Sequence, residues 1–201
     1  MAGAKETPRQ RMIGMMYLVL TALLALQVSN QILQKFVLLN DGMERTSRNY
    51  ILKNESTVGS IEYTVEQQGN NERDVPKVAA AKKVREATKE IYDYLETLKQ
   101  ELIVQSNAKN EEGNFVNASL KNTEVTGNMF ANNGKGEEMK QKLNEYPKTI
   151  QGILSGLGIT DVTFKPIARD ASEIELFAND REAKNKSFVA LTFVKSPVGA
   201  V

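Results

Sequence analysis

The side chains that most often carry catalysis are missing from this 201-residue chain, which contains no His and no Cys. A Ser-His-Asp triad, a thiolate nucleophile, a disulfide and a thiolate zinc site are therefore excluded, and so is imidazole as a general base or metal ligand. Carboxylates are abundant, but none lies in a recognisable catalytic motif, and there is no glycine-rich phosphate loop. The sequence predicts a protein without cofactor or metal and disfavours an enzyme.

The overall charge also excludes a class of partner. The 26 basic residues nearly balance the 25 acidic residues, which gives a formal net charge of +1. A nucleic-acid-binding surface would show as a strong basic excess, so none is predicted. Hydrophobic residues make up 41% of the chain, and its length suits one domain of ordinary size plus an appendage.

The longest uncharged stretch covers residues 12–34. As a helix it would be roughly 35 Å long, enough to cross a hydrocarbon core of about 30 Å. The basic start and the apolar run also fit a cleaved signal peptide. No helix breaker separates Leu26 from Phe36, however, and this favours an uncleaved anchor whose helix continues beyond the membrane. We predict a cytoplasmic N-terminus over residues 1–7, a transmembrane helix over 8–35 and a periplasmic helical domain over 36–201.

Two arginines, Arg9 and Arg11, precede this stretch. A capping box predicts that the helix begins beside them, with Thr7 as the N-cap, Pro8 in the first position and Gln10 three residues after the cap. Cations in a first turn oppose the helix dipole, so another interaction must outweigh that cost. Two interpretations stay open: the positive-inside rule keeps the arginines in the cytoplasm, or one arginine lies at membrane depth and pairs with a carboxylate of another membrane protein.

Within the predicted span, small side chains would let a second helix approach closely. We expect helix packing at Gly14, Ala22, Ala25 and Ser29. Simple lipid-facing composition is the alternative. Polar contacts in the span are expected from Arg11, Tyr17 and Thr21, although Tyr17 equally suits packing. The span contains no Asp or Glu, so a proton carrier would have to lie on a partner.

The remainder is mainly helical in its periodicity. An amphipathic stripe from Ile51 to Val65 predicts a helix of about 25 residues. After a turn, Asp74 should cap a second helix, with Pro76 in its first turn and a near-heptad apolar stripe over residues 84–102. The Asn- and Gly-rich residues 107–135 should form a long excursion with short helical pieces.

A third helix is predicted over residues 136–157, with a kink at Pro147. After Gly158, the runs VTFKPIA, EIELFA and SFVALTFV are typical of short β segments or of irregular packing segments. The predicted fold class is mainly α, in which one transmembrane helix is followed by an elongated periplasmic helical bundle. The apolar C-terminal end without a polar tail is typical of a truncated chain.

The opening ETPRQRMIGMMYLVLTALLALQVS closely resembles the N-terminus of the GldM/PorM family, the single-span subunit of the gliding-motility and type IX secretion motor. The resemblance is dense over residues 1–40 and is one of helical pattern farther on. It implies a bacterial inner-membrane homodimer whose two transmembrane helices lie inside a ring of GldL/PorL subunits. The proton-motive force would turn one component against the other, and the periplasmic part would pass torque to outer-membrane components.

Arg9 falls in the TPRQ segment that carries the resemblance, and it is the candidate for an ion pair with a glutamate of the ring. Two alternatives to the motor stay open. A membrane-anchored sensor would bind a small ligand in its periplasmic bundle, and a passive tether would hold an envelope complex together without moving. An anchored enzyme is disfavoured by the missing His and Cys.

Overall fold

The computed structural model of the chain describes residues 7–201, apart from the side chains of residues 24–30. This part of the chain is mainly helical and contains no β-strand, which confirms the predicted mainly α class. The helices are α1 (Pro8–Gln67), α2 (Val75–Gln105), α3 (Asn117–Leu120), α4 (Glu124–Thr126, continued as a π-helix over Gly127–Asn132), α5 (Lys135–Ser155) and α6 (Phe188–Thr192). Three 3-10 turns lie at Ala171–Glu173, Glu175–Phe177 and Val198–Ala200.

Helix α1 is continuous over 60 residues, which corresponds to a length of about 90 Å. Its start is the predicted capping box: the Thr7 hydroxyl accepts from the Gln10 N–H at 3.4 Å, and the Gln10 side chain accepts from the Thr7 N–H at 3.0 Å. The prediction that the helix continues past residue 35 is confirmed. The segment from Ile51 to Val65 is helical as predicted, but the predicted length of about 25 residues is wrong, because this segment is the distal part of α1.

The transmembrane part of the prediction is not confirmed. Over the described residues, no helix contains a segment that is both long enough and apolar enough to cross a membrane. The side chains of residues 24–30 lie inside the predicted span and outside that description. The span over residues 8–35 stays a prediction.

Helix α2 runs back along α1 in antiparallel orientation. Three ion pairs set the register: Glu62 with Lys82, Glu55 with Arg85 and Glu44 with Lys99. The reversal is made in the intervening loop, where Gly69 (φ +78°) and Asn70 (φ +54°) adopt the left-handed conformation. Glycine and asparagine are the residues that adopt it most readily.

The start of α2 differs from the prediction. Asp74 does precede the helix and Pro76 lies in its first turn, but the Asp74 side chain makes no capping hydrogen bond. Its carboxylate instead accepts from the Lys77 ammonium at 2.6 Å, which lowers the pKa of Asp74. The nearby cation competes with the backbone N–H groups for the same oxygen, and sequence spacing alone does not decide that competition.

Helix α5 packs antiparallel to α2. The contacts that set this register are an ion pair between Lys135 and Glu101 and a hydrogen bond of 2.9 Å between the hydroxyls of Tyr146 and Thr88. The predicted third helix over 136–157 is thus confirmed to within two residues at each end. Pro147 lies inside the helix and is buried.

Of the two alternatives for the runs after Gly158, the β segments are wrong, because the described residues contain no strand there. The irregular packing segments are confirmed, apart from the short helix α6. Side chains of α5 bind the backbone of this segment and replace a neighbouring strand: Asn144 accepts from the Ala168 N–H at 2.9 Å and donates to its carbonyl at 2.8 Å. The run SFVALTFV contains α6, because Ser187 caps the helix by accepting from the Ala190 N–H at 3.2 Å. β-branched and aromatic side chains here serve burial rather than strand pairing.

We call α2–α6 with their connecting segments, together with residues 33–67 of α1, the head. Its main hydrophobic core lies at the end where α1 enters. Phe193 is the largest fully buried side chain; its ring stacks on Phe130 with centroids 4.1 Å apart and meets Phe188 edge-on at 5.8 Å. The buried core residues are Leu33, Leu98, Leu102, Ala108, Leu120, Met129, Phe130, Val189, Phe193 and Val198.

Candidate coupling site between the N-terminal helix and the head

We call residues 8–32 of α1 the arm. The arm carries every site residue that the sequence singled out. Arg9 and Arg11 are exposed in its first turns, and neither guanidinium forms an ion pair with a carboxylate among the described residues. The arm is separate from the pockets of the head, so the structure does not gather these residues into a chemical site.

The predicted polar and small positions of the arm also face solvent in the single chain. The Thr21 hydroxyl donates to the Tyr17 carbonyl one turn earlier, so its proton is used within the helix. Gly14 and Ala22 are exposed, and a Cβ added at Gly14 would meet open space. The side chains of Ala25 and Ser29 lie outside the described residues. The predicted roles of all these positions stay predictions.

The residues that connect the arm to the head were missed by sequence reasoning. Leu33, which we assigned to the last turn of the span, is only 6% exposed and belongs to the core of the head together with Leu98 and Leu102. Val37, one turn later, packs against the same core. Because α1 has no break between the arm and Leu33, the helix that forms the arm is the same helix that packs into the core of the head.

A signal for these residues was present in the sequence. The stripe that includes Ile51 and Val65 continues backwards at intervals of seven and four residues through Glu44 and Val37 to Leu33. One amphipathic face therefore extends from the distal end of α1 to the base of the head. The uncharged composition around Leu33 masked it, because a core residue and a lipid-facing residue have the same type.

An ion cluster fixes α1 against α2 just above this contact. The Lys99 ammonium lies 2.6 Å from the Glu44 carboxylate and 2.8 Å from the Glu96 carboxylate. Arg48 approaches Glu44 at 3.5 Å from the next turn of α1. All three members of the Lys99 cluster are about one-third exposed, so the cluster contributes orientation more than stability.

The pKa values of the cluster follow from these contacts. Burial disfavours the charged form of Lys99, but hydrogen bonds to Glu44 and Glu96 outweigh it and raise the pKa of Lys99. The hydrogen bond from Lys99 is the main cause that lowers the pKa of Glu44, and the same holds for Glu96. All three groups are charged at neutral pH, so the cluster holds α1 at a defined position along α2.

The C-terminal 3-10 turn, Val198–Ala200, also packs against α1 near Leu33. Val198 is buried in the core that contains Leu33, and its N–H donates to the Asn122 carbonyl at 2.9 Å. A Cβ added at Gly199 would lie 3.2 Å from the Leu120 Cβ, so this turn packs tightly against α3. Helix α1 is thus held between α2 and the last turn of the described chain.

The contacts at this site are structural ones between α1 and the head. Among the described residues, no three acidic side chains gather closely enough to hold a metal ion. One continuous helix enters a head that packs against it through apolar side chains and an ion cluster. The arm and the head are therefore two parts of one module joined by the same helix.

The chain belongs to the GldM/PorM family. The family model described as the GldM N-terminal domain matches residues 31–201, so the match begins two residues before Leu33 and covers the head. Proteins of this family are components of the gliding-motility and type IX secretion machinery of the cell envelope. A comparison with curated protein sequences finds no match. The family predicted from residues 1–40 is thus confirmed by the match over residues 31–201.

Proposed function

We propose that this chain is a motor subunit driven by the proton-motive force, and that two copies form an axle within a ring of GldL/PorL-type subunits. The arm crosses the bacterial inner membrane with its N-terminus in the cytoplasm. The head lies in the periplasm and passes torque towards outer-membrane components that carry out type IX secretion or gliding. The observation that carries the proposal is the unbroken helix α1, whose arm and head segments share one backbone.

Torque transmission requires that the arm and the head cannot rotate independently. A flexible linker would release the rotation through its single bonds, whereas each turn of a helix is held to the next by backbone hydrogen bonds. Leu33 and Val37 bury one face of α1 in the head, and Glu44 binds Lys99 on α2. Rotation of the arm about its axis would have to break these contacts or turn the head.

The membrane location is supported by the composition of the arm. Residues 12–34 carry no charge, and three cations, Lys5, Arg9 and Arg11, precede them. Large apolar side chains such as Leu18 and Leu20 are exposed over more than half of their surface in the single chain, so lipid or ring subunits are suitable neighbours. The three cations favour the cytoplasmic side for the N-terminus.

Arg9 is the residue through which the ring would act. It lies in the first turn of α1 and pairs, in this proposal, with a glutamate of the surrounding ring. Two Arg9 residues facing an odd-numbered ring could not both be matched equally. Protonation of one ring carboxylate would release one contact and favour the next, which gives a stepwise rotation. Arg11, Tyr17 and Thr21 add polar contacts to the same surface.

The continuity of α1 can be tested by replacing residues 27–30 with four glycines, and in a matched variant with four alanines. Glycine weakens a helix by about 1 kcal/mol per residue relative to alanine, so the first variant softens the connection while both keep its length. We expect the glycine variant to lose type IX secretion in cells that depend on this chain. The alanine variant should retain most of it. Secreted cargo and membrane-bound protein are measured for each.

Equal secretion by both variants would contradict torque transmission and favour a passive tether, which needs attachment alone. Reduced amounts of the glycine variant in the membrane fraction would indicate failed insertion. For that reason secretion is compared at matched amounts of the two variants.

Arg9 is tested separately. We expect Arg9→Ala to abolish secretion or gliding, because it removes the charge that the ring carboxylate would meet, and Arg9→Lys to retain part of the activity because it keeps the charge. Both variants should still assemble with the ring, as measured by co-purification. An active and assembled Arg9→Ala variant would leave the positive-inside rule as the sufficient explanation of this residue.

A further inference from the structure

Helix α1 has a second apolar stripe, distinct from the one that packs on α2. Starting at Ile32, it continues at intervals of four and three residues through Phe36, Leu39 and Met43 and reaches Tyr50 after a further seven. All five side chains are between 45% and 65% exposed. Five large apolar side chains in one exposed row are more than isolated surface hydrophobics, and a row of this kind marks an interaction surface.

The stripe borders an open groove of about 870 Å³ on the outer face of α1. Its lining includes Leu38, Leu39, Gly42, Met43, Thr46 and Tyr50. All of these residues come from α1 itself, so no other part of the described chain covers the groove. Its occupant must come from outside the described part of this copy.

We propose that a second copy of this chain packs in parallel along the stripe, and that the two α1 helices form one coiled coil from the arm to Tyr50. This inference rests on the homodimer of the proposed function and names its surface. The spacing of four and three residues is the heptad of a two-stranded coiled coil, in which identical positions of two parallel chains meet. We call residues 32, 36, 39, 43, 46 and 50 the seam.

The heptad also extends towards the N-terminus. In the sequence, the same spacing continues from Ile32 to Ser29, Ala25, Ala22 and Leu18, all of which are small or apolar. It ends above Tyr50, where Lys53 would take the next position. The predicted contact therefore begins in the arm, crosses into the head without a break and stops at Tyr50.

The charges of α1 are consistent with two identical chains side by side. The charged residues between Asp41 and Arg48 all lie off the seam. In a parallel pair, the flanking positions that face each other across the seam are Lys35 with Asn40, Gly42 with Ser47, and Asn49 with Asn54. None of these pairs brings like charges together, so a second copy meets no electrostatic repulsion along this face.

The native chain contains no Cys, so single cysteines report this contact without background. The seam variants are Phe36→Cys, Leu39→Cys and Met43→Cys, and the matched control is Leu52→Cys. Leu52 is as exposed as Met43 but lies off the seam and outside the lining of the groove. With the full chain in its membrane, mild oxidation should give disulfide-linked dimers at least about five-fold faster at the seam positions.

A second measurement distinguishes a specific contact between two copies from disulfides formed by random collisions in the membrane. Leu39→Glu, introduced into the Met43→Cys chain, places two carboxylates opposite each other and should reduce dimer formation several-fold. Leu52→Glu should leave it unchanged. Faster cross-linking at Leu52→Cys than at the seam positions would overturn the seam while leaving the proposed dimer intact. Absence of dimers at every position, in chains that support secretion, would overturn both the seam and the dimeric axle.

Discussion

Replacing Phe193 by alanine should lower the free energy of unfolding of this chain by about 3–5 kcal/mol. The side chain is 1% exposed, and its ring stacks on Phe130 with centroids 4.1 Å apart. Truncation removes the burial of a whole aromatic ring and leaves a cavity whose walls belong to separate elements. The Phe130 and Phe188 rings cannot both move into it, because each is held by its own helix.

The expected consequence extends to the arm. Phe193 and Val198 belong to the same core as Leu33. Loss of the Phe193 ring should therefore weaken the packing of α1 against the head at Leu33. Chemical denaturation followed by circular dichroism measures the change in stability. Leu176→Ala is the matched control, because Leu176 is 81% exposed and its truncation should change stability by less than about 0.5 kcal/mol. Similar losses for the two variants would show that the core is not centred on Phe193.

The second large effect is expected at Gly136, in the first turn of α5. A Cβ at this position would lie 2.6 Å from the Phe130 carbonyl oxygen and 2.9 Å from both Val189 methyl groups. A backbone oxygen cannot swing aside as a side chain can, so α5 and the π-helix must separate. We expect Gly136→Ala to lower the free energy of unfolding by about 1–3 kcal/mol, the usual cost of overpacking a core.

The same helix contains a glycine with the opposite expectation. A Cβ at Gly152 would have no atom within 4 Å, and alanine is the better helix former by about 0.5–1 kcal/mol. Gly152→Ala should therefore stabilise the chain while Gly136→Ala destabilises it. Thermal unfolding of both variants measures the two signs. A destabilising Gly152→Ala, or a neutral Gly136→Ala, would contradict the packing of α5 against Phe130 and Val189.

Local sequence signals determined much of this protein. The start of α1 follows from Thr7, Pro8 and Gln10, which interact only with their immediate neighbours in the chain. The third predicted helix matches α5 because the 3.6-residue period of its apolar residues does not depend on what they pack against. The absence of His and Cys excluded Ser-His-Asp triads, thiolate nucleophiles and thiolate zinc sites before any fold was known. The residues of the opening segment were also sufficient to indicate the family.

Tertiary structure decided what composition left ambiguous. The run containing Phe188 and Phe193 has the residue types of a strand, but side chains of α5 already bind the neighbouring backbone and Ser187 caps a helix there. Leu33 has the type of a lipid-facing residue, yet it packs into the core because residues more than sixty positions later in the chain come to surround it. The sequence by itself determined the long helices, since their periodicity depends on near neighbours. Where the arm ends and the head begins depends on contacts between distant residues, and only the folded chain decides it.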